Sequence, residues 1–452
     1  MTESVTVDTL DVTLDALGQQ PVKVYTQIAF CFAVDNVSVY PTVVDTLTKG
    51  LERVSANFPW LSGQLIRESG IYKIKPLEKT PRLVVKDLRG RDSKLTWDAL
   101  CRANFPISLL DESDVAPRKT IAVLPGESST EEIFLLQATL VEGGLILTLL
   151  GQHQAMDGVG QGQVIELFSK ACRNDIFTSQ ELEIGNLPDW NRIPQLDDSY
   201  DLESLLSNQL VKPALPPNPQ APSPSPPSCT WDYFVFSADS LAQLKALATE
   251  TCRSGFVSTD DTVSAFIWQS VTRARLHRLP PSQRSSTIAR AVDARRYLGI
   301  SPTHPGYAQN MAYNTIAVQE LANGPLGVVA SALRSQVDPK TSDLGLRTRA
   351  LATYITHAAD KESVSLTATL DISADIALSS WVNQSSSTLD FGLGLGKPAA
   401  VRRPRFTPVE SLMYLLPRAL NGDVGLAICL RDEDLERLRA DEQFLKYATR
   451  VG

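Results

Sequence analysis

The chain has 452 residues, of which 43% are hydrophobic and 21% charged, and carries a formal net charge of −8 at pH 7. This acidic balance, with a sequence pI near 5.2, argues against bulk binding to nucleic acid or to an anionic membrane surface, so an anionic ligand would need a local basic pocket. The length favours two domains over one core, and six scattered cysteines without metal-ligand spacing suit free thiols in a reducing compartment.

The N-terminus, Met1-Thr-Glu-Ser-Val-Thr-Val-Asp8, has no basic n-region followed by an apolar h-region, so no secretory signal is expected. No apolar run reaches the ~18 residues that span a membrane, and a cytoplasmic protein is the expectation. Residues 22–34, rich in β-branched and aromatic side chains, predict a strand. Val44, Leu47, Leu51 and Val54 recur at spacings of three and four after Pro41 and predict a helix to Asn57. Residues 61–66, 71–74 and 82–85 read as short strands. Residues 133–141 and 145–150, joined by Glu142-Gly143-Gly144, predict a β-hairpin.

The hairpin runs into Gly151-Gln152-His153-Gln154-Ala155-Met156-Asp157-Gly158, after which residues 159–168 predict a Gly-rich amphipathic helix. An imidazole with a pKa near ~6.5 is mostly neutral at pH 7 and can take a proton from an alcohol. Of the four histidines (His153, His277, His304 and His357), only His153 has an acidic residue four positions on. Two readings stand: a general base presented on a loop, and a buried structural histidine. A metal site is disfavoured, because one His and one Asp supply too few ligands.

Eight of the fifteen residues from Pro213 to Pro227 are proline, which excludes a helix or central strand and favours an extended tether. The expected division is an N-terminal domain over 1–205, a linker over 206–229 and a C-terminal domain over 230–452. Residues 231–236 then predict a strand and 238–251 a helix. Ser258 followed by Asp261 has the form of a capping box opening a helix that runs to Arg275. The positive end of that helix, at Ser258 and Thr259, could receive a phosphate, although Asp260 and Asp261 would oppose one; capping alone explains the pattern as well.

Near the C-terminus, Asp390-Phe-Gly-Leu-Gly-Leu-Gly396-Lys397-Pro398 precedes Val401-Arg402-Arg403-Pro404-Arg405. The three glycines suggest a phosphate cradle without matching a P-loop or a dinucleotide fingerprint. Lys397, Arg402, Arg403 and Arg405 form the densest basic cluster of the chain, open to a polyanionic ligand or to a solvated surface. The expected fold class is mixed α/β, with strands too irregularly connected for a βαβ repeat.

His153-x-x-x-Asp157-Gly158 and Asp390-Phe391-Gly392-x-Gly394, in that order, resemble the paired motifs of the BAHD family of acyl-CoA-dependent O- and N-acyltransferases. Longer stretches, among them Phe256-Val-Ser-Thr-Asp-Asp261, Arg290-Ala-Val-Asp-Ala-Arg295 and Glu410-Ser-Leu-Met-Tyr414, resemble its branch of fungal trichothecene 3-O-acetyltransferases, over essentially the whole chain. The resemblance implies two chloramphenicol-acetyltransferase-like domains with a channel at their interface. It implies direct transfer of acetyl from acetyl-CoA to the C3 hydroxyl of a trichothecene, for self-protection or biosynthesis, with His153 as general base. The alternative acceptor is another fungal metabolite alcohol or an amine. Acetyl-CoA would be a co-substrate, with no permanently bound cofactor, no metal and no macromolecular partner, and the enzyme would be a monomer.

The resemblance also assigns residues. Asp157 would be structural and paired with Arg295, Asp390 would support the cofactor side, and Ser379 or Trp381 would donate to the oxyanion. Ser258, Thr259 and the basic cluster are the expected coenzyme A contacts. Leu393 stands where the wider family most often has Trp. Gln152 stands where peptide-synthetase condensation domains have the first His of a His-His-x-x-x-Asp-Gly motif.

Overall fold

The computed structural model describes residues 10–90, 93–121, 130–186, 193–212, 227–280 and 284–452. The proline-rich tether expected at 206–229 falls largely on 213–226, outside the described residues. Two sheets carry the architecture. The smaller has five strands in the order Ala400–Arg402, Tyr25–Ala33, Gly144–Gln152, Phe134–Val141, Arg82–Asp87. Only its last pair is parallel. The larger has seven strands in the order Gln309–Ala317, Ser285–Asp293, Ile376–Ser380, Leu412–Leu415, Val424–Arg431, Cys229–Phe236, Ala448–Arg450. Its third strand runs parallel to both neighbours. A three-stranded sheet of Val12–Thr13, Ile71–Lys75 and Gln64–Glu68 flanks them. All strands of the larger sheet lie at or beyond residue 229, whereas the smaller takes Ala400–Arg402 from the second half of the chain.

The predicted hairpin is Phe134–Val141 with Gly144–Gln152, and every residue of both strands is buried. Alternation explains why. Ile28, Phe30, Phe32, Leu145, Leu147 and Leu149 pack on the side of the helices Tyr40–Asn57 and Gly158–Cys172, while Ala29, Cys31 and Ile146 join Leu100, Leu110 and Val115 in a separate cluster. In the first helix Val43, rather than Val44, is buried together with Leu47, Leu51 and Val54. Leu47, Leu51 and Val54 are at most 2% exposed, each burial contributing about 1.5–3 kcal/mol. The two helices cross at Gly50, where a Cβ would lie 2.4 Å from the Cys172 sulfur.

The strand expected at 61–66 begins later. Pro59–Ser62 forms a 3-10 turn and Gln64–Glu68 the strand, because the Trp60 indole donates to the Gly185 carbonyl (2.8 Å) and Leu61 is buried at 1%. Beside the larger sheet, the helix Thr259–Arg275 is buried along nearly its whole length. It packs against Ala238–Glu250 and Leu326–Ser335.

Candidate active site

Strand Gly144–Gln152 pairs with Tyr25–Ala33 up to its final residue, Gln152 opposite Tyr25, so the loop after it starts from a fixed edge. The His153 amide donates to the Val24 carbonyl at 2.9 Å. The Gln152 side-chain oxygen accepts from the amides of Gln154 (2.7 Å) and Ala155 (3.2 Å) and holds the turn. His153 is half-buried, with Nδ1 3.2 Å from the Met156 carbonyl oxygen. A carbonyl only accepts, so Nδ1 carries the proton and Nε2 is the nitrogen left to act as base. Burial lowers the imidazole pKa below its ordinary value and outweighs the Met156 carbonyl and Asp157, which act to raise it. The ring is therefore neutral at pH 7.

Asp157 caps the helix Gly158–Cys172, its Oδ1 accepting from the Gly160 amide at 2.7 Å. Oδ2 accepts from the Ala308 amide at 2.7 Å, and the Arg295 guanidinium grips both oxygens at 3.0 and 3.1 Å. Asp157 and Arg295 are each 1% exposed, and despite its burial the guanidinium and two amides hold the carboxyl below the usual carboxylate range. Arg295 is itself fixed by Asp293 (2.8 Å) and the carbonyls of His304 (3.0 Å) and Gly306 (2.7 Å). The carboxylate thus points at Arg295, with no hydrogen bond to the imidazole, and the pair ties the His153 loop to the second half of the chain. Contact is close enough there that a Cβ on Gly160 would meet the Pro305 carbonyl at 2.1 Å.

A cavity of about 900 Å³ reaches this loop at Asp157 and Gly158; the imidazole itself is not part of its wall. Ser258, Thr259, Ser379 and Trp381 line it. The predicted capping box is present: the Ser258 hydroxyl accepts from the Asp261 amide (3.0 Å) and donates to the Asp261 carboxylate (2.7 Å). That hydroxyl is committed to the helix. The Trp381 indole N–H donates to Ser379 Oγ at 3.1 Å. Of the two oxyanion candidates, Ser379 therefore keeps a hydroxyl hydrogen to offer, while the indole donor is occupied. Ser380 donates to Asp260, whose carboxyl burial raises above its ordinary value, and Gln384 Nε2 donates to the Gly158 carbonyl at 2.8 Å.

The expected basic cluster is dispersed, and none of its members lines this cavity. Lys397 is exposed. Arg402 donates to the carbonyls of Phe105 (2.9 Å) and Asn104 (3.3 Å), and Arg405 ion-pairs with Asp111 at 2.5 Å. Arg403 is 2% exposed. The reason is geometric: Ala400–Arg402 is an edge strand beside Tyr25–Ala33, and successive side chains of an extended segment leave on opposite sides. Asp390 is also remote, at the far end of the helix that begins at Gly158. Its carbonyl accepts from Ser169 (2.8 Å) and its Oδ1 from the Gly392 amide (2.8 Å). Gly392 and Gly394, at φ +66 and +73, make a turn that seats Phe391 against Phe30 at 5.2 Å. The segment braces the helix and cradles no phosphate-sized space at the wall of the cavity.

The cations that do line the cavity are Lys245, Arg290, Arg296, Arg334 and Arg418. Arg290 and Arg334 are engaged by Asp261. Lys245, Arg296 and Arg418 have no carboxylate partner among the described residues; Lys245 lies over the Phe256 ring at 4.5 Å, and its desolvation lowers its pKa. These three come from separate segments, so no local pattern marks them in the sequence. The same wall carries five carboxylates, Asp157, Glu166, Asp260, Asp261 and Asp293, so positive charge free to meet a polyanion is confined to the places these three cations occupy.

Two family models match the chain: the trichothecene 3-O-acetyltransferase-like N-terminal domain over residues 24–172 and the transferase family over 108–445. An O-acetyltransferase of Cryptosporiopsis sp. is 50% identical over 98% of both chains. A trichothecene 3-O-acetyltransferase of Fusarium sporotrichioides is 48% identical over 100% of this chain and 99% of its own. The solved structure of the F. sporotrichioides protein complexed with coenzyme A and T-2 superimposes with a TM-score of 0.91 at 47% identity, covering 98% of this chain and 100% of that one.

Proposed function

We propose that this chain, which belongs to the transferase family, is an acetyl-CoA-dependent O-acetyltransferase that acetylates the C3 hydroxyl of trichothecenes. The observation that carries the reading is a neutral imidazole, fixed through Nδ1, on a loop that meets a cavity lined with unpaired cations. His153 Nε2 takes the proton of the acceptor hydroxyl as its oxygen attacks the thioester carbonyl carbon, and the imidazolium then returns that proton to the departing thiolate sulfur. Transfer is direct within one ternary complex, so positioning supplies much of the rate and no acyl-enzyme forms. Ser379 donates to the oxygen of the tetrahedral intermediate. Asp157 and Arg295 hold the loop. Thr259, Lys245, Arg296 and Arg418 receive the coenzyme's phosphates in place of the dispersed cluster.

Six unpaired cysteines support a reducing, cytoplasmic compartment, where the enzyme works as a monomer. No described helix is long and apolar enough to cross a membrane. A second acceptor class, another fungal metabolite alcohol, is supported by the 50% identity to an O-acetyltransferase whose name specifies no trichothecene. The deciding experiment is mass-spectrometric screening of acetyl transfer from acetyl-CoA to trichothecenes with free and blocked C3 hydroxyls, with release of coenzyme A thiol followed in parallel. Transfer confined to the free C3 hydroxyl is expected. Thiol release with other alcohols alone would select the second class, and no release with any acceptor would make the scaffold a binding protein.

A further inference from the structure

Two aromatic side chains belong to the wall of the 900 Å³ cavity. Trp381 is buried and bonded to Ser379, whereas Phe256 is 61% exposed. A single exposed phenylalanine is ordinary on a protein surface; Phe256 differs in how it is held and in what surrounds it. Gly255, at φ +75, turns the chain, and the Ser254 hydroxyl donates to the Phe256 carbonyl at 2.8 Å. On the other side Val257 is buried and Ser258 is locked into its capping box. The backbone is thus fixed before and after a residue whose ring is left open. Two cations of the same wall approach that ring: Lys245 Nζ stands 4.5 Å and the Arg334 guanidinium carbon 5.5 Å from its centroid. Arg334 and Arg290 together neutralise Asp261. Lys245 has no carboxylate partner among the described residues, and an ammonium on a flexible stem can turn from a ring to a phosphate.

We propose that Phe256 and Lys245 form the subsite for the adenosine 3′-phosphate end of the coenzyme: the adenine stacks on the open Phe256 ring, and the Lys245 ammonium meets the ribose 3′-phosphate beside it. The inference rests on the reading of this cavity as the coenzyme site, and adds recognition of the base to the phosphate contacts. A purine is a flat, uncharged π-surface that stacks on an aromatic face, and a phosphate monoester is met by a cation. Base and 3′-phosphate are carried by one ribose, so a ring and a cation in contact match them together. Among the described residues, Phe256 and Lys245 are the one place in this wall where an open ring meets a cation without a carboxylate partner. Arg296 lies over Tyr297, which is outside the wall, and Arg418 donates to the Gly422 carbonyl at 2.7 Å. Because the ring is already held in place, stacking on it costs little ordering of the protein.

The test is calorimetric titration of the full chain with coenzyme A, 3′-dephospho-coenzyme A and pantetheine, which needs neither acceptor nor turnover. Phe256→Ala should weaken coenzyme A and its 3′-dephospho form by about tenfold each, the size of one lost base–aromatic stack, and leave pantetheine unchanged. Phe256→Tyr should bind both nucleotides as the native chain does, while Phe256→Leu, apolar but without a π-face, should stay close to Phe256→Ala. Lys245→Met should weaken coenzyme A by about tenfold, to the level of the 3′-dephospho form, and leave that form unchanged; the loss should shrink as salt rises. Unchanged coenzyme A affinity in Phe256→Ala, equal recovery by Leu and Tyr, or equal loss of all three ligands overturns the stacking. Equal loss of coenzyme A and its 3′-dephospho form in Lys245→Met overturns the assignment of the 3′-phosphate. Failure of the functional reading is distinct from these outcomes. The expected binding pattern without acetyl transfer to any alcohol would remove the transferase and leave the subsite standing, and a native chain that binds none of the three ligands would remove both.

Discussion

Replacing Asp157 by Asn tests the joint between the His153 loop and the second half of the chain. The asparagine side chain would keep one acceptor oxygen but place an NH₂ group where the carboxylate now accepts from amides and from Arg295. Arg295, 1% exposed, would retain Asp293 and two carbonyls, so the loss should sit near the lower end of the ~3–5 kcal/mol typical of a broken buried pair. Unfolding entropy of about 2.1 cal/mol/K per residue amounts to about 1 kcal/mol/K over 452 residues. A loss of about 3 kcal/mol then lowers Tm by about 3 °C if the chain melts as one unit, and by about twice that if one half melts alone. The folded carboxyl lies below its ordinary value, so the contribution is complete at neutral pH and is lost as pH falls through that lowered value. Calorimetry at pH 7 with parallel measurement of kcat is the assay. The double variant Asp157→Asn/Arg295→Met should recover part of the loss, because no unpaired buried charge remains. A Tm within about 1 °C of the native chain, or strictly additive single and double variants, would refute the reasoning.

His153→Ala should lower turnover by about 10²–10⁴ while leaving Tm nearly unchanged, since the half-buried ring makes one side-chain hydrogen bond; near-normal turnover of the purified variant would remove it from the mechanism. Lys245→Glu with Arg418→Glu should raise KM for acetyl-CoA, more strongly at low salt, and leave KM for the alcohol unchanged. Lys397→Glu, exposed and outside the cavity, should change neither constant, and the reverse pattern would restore the C-terminal cluster as the coenzyme site. Asp15 is raised by burial to about 7 although the Gly18 and Leu17 amides oppose the shift. The folded chain therefore binds this proton more tightly than the unfolded chain, and the resulting stability is present at low pH and lost as pH rises toward and through about 7. Asp15→Asn should accordingly raise Tm at pH 8 more than at pH 5, and parallel pH profiles of Tm in the two proteins would contradict the shift.

Local patterns carried much of this molecule. The strand–loop–helix that presents His153, the hairpin before it, the Ser258–Asp261 capping box and the helix after Pro41 were all legible, because each is decided by groups a few residues apart: burial every second or third to fourth position, a hydroxyl within reach of an amide three residues on, a proline that sets φ. The Asp157–Arg295 contact came from resemblance, since no local pattern joins residues 138 apart. What the tertiary structure alone decided is where distant segments meet. Lys245, Arg296 and Arg418 converge on one cavity from separate elements, and the Trp381 indole is occupied by a Ser379 hydroxyl. Arg402, Arg403 and Arg405, neighbours in sequence, separate to a carbonyl pair, an aromatic cage and an ion pair, because an extended segment sends successive side chains to opposite sides and the packing around each side then selects its partners.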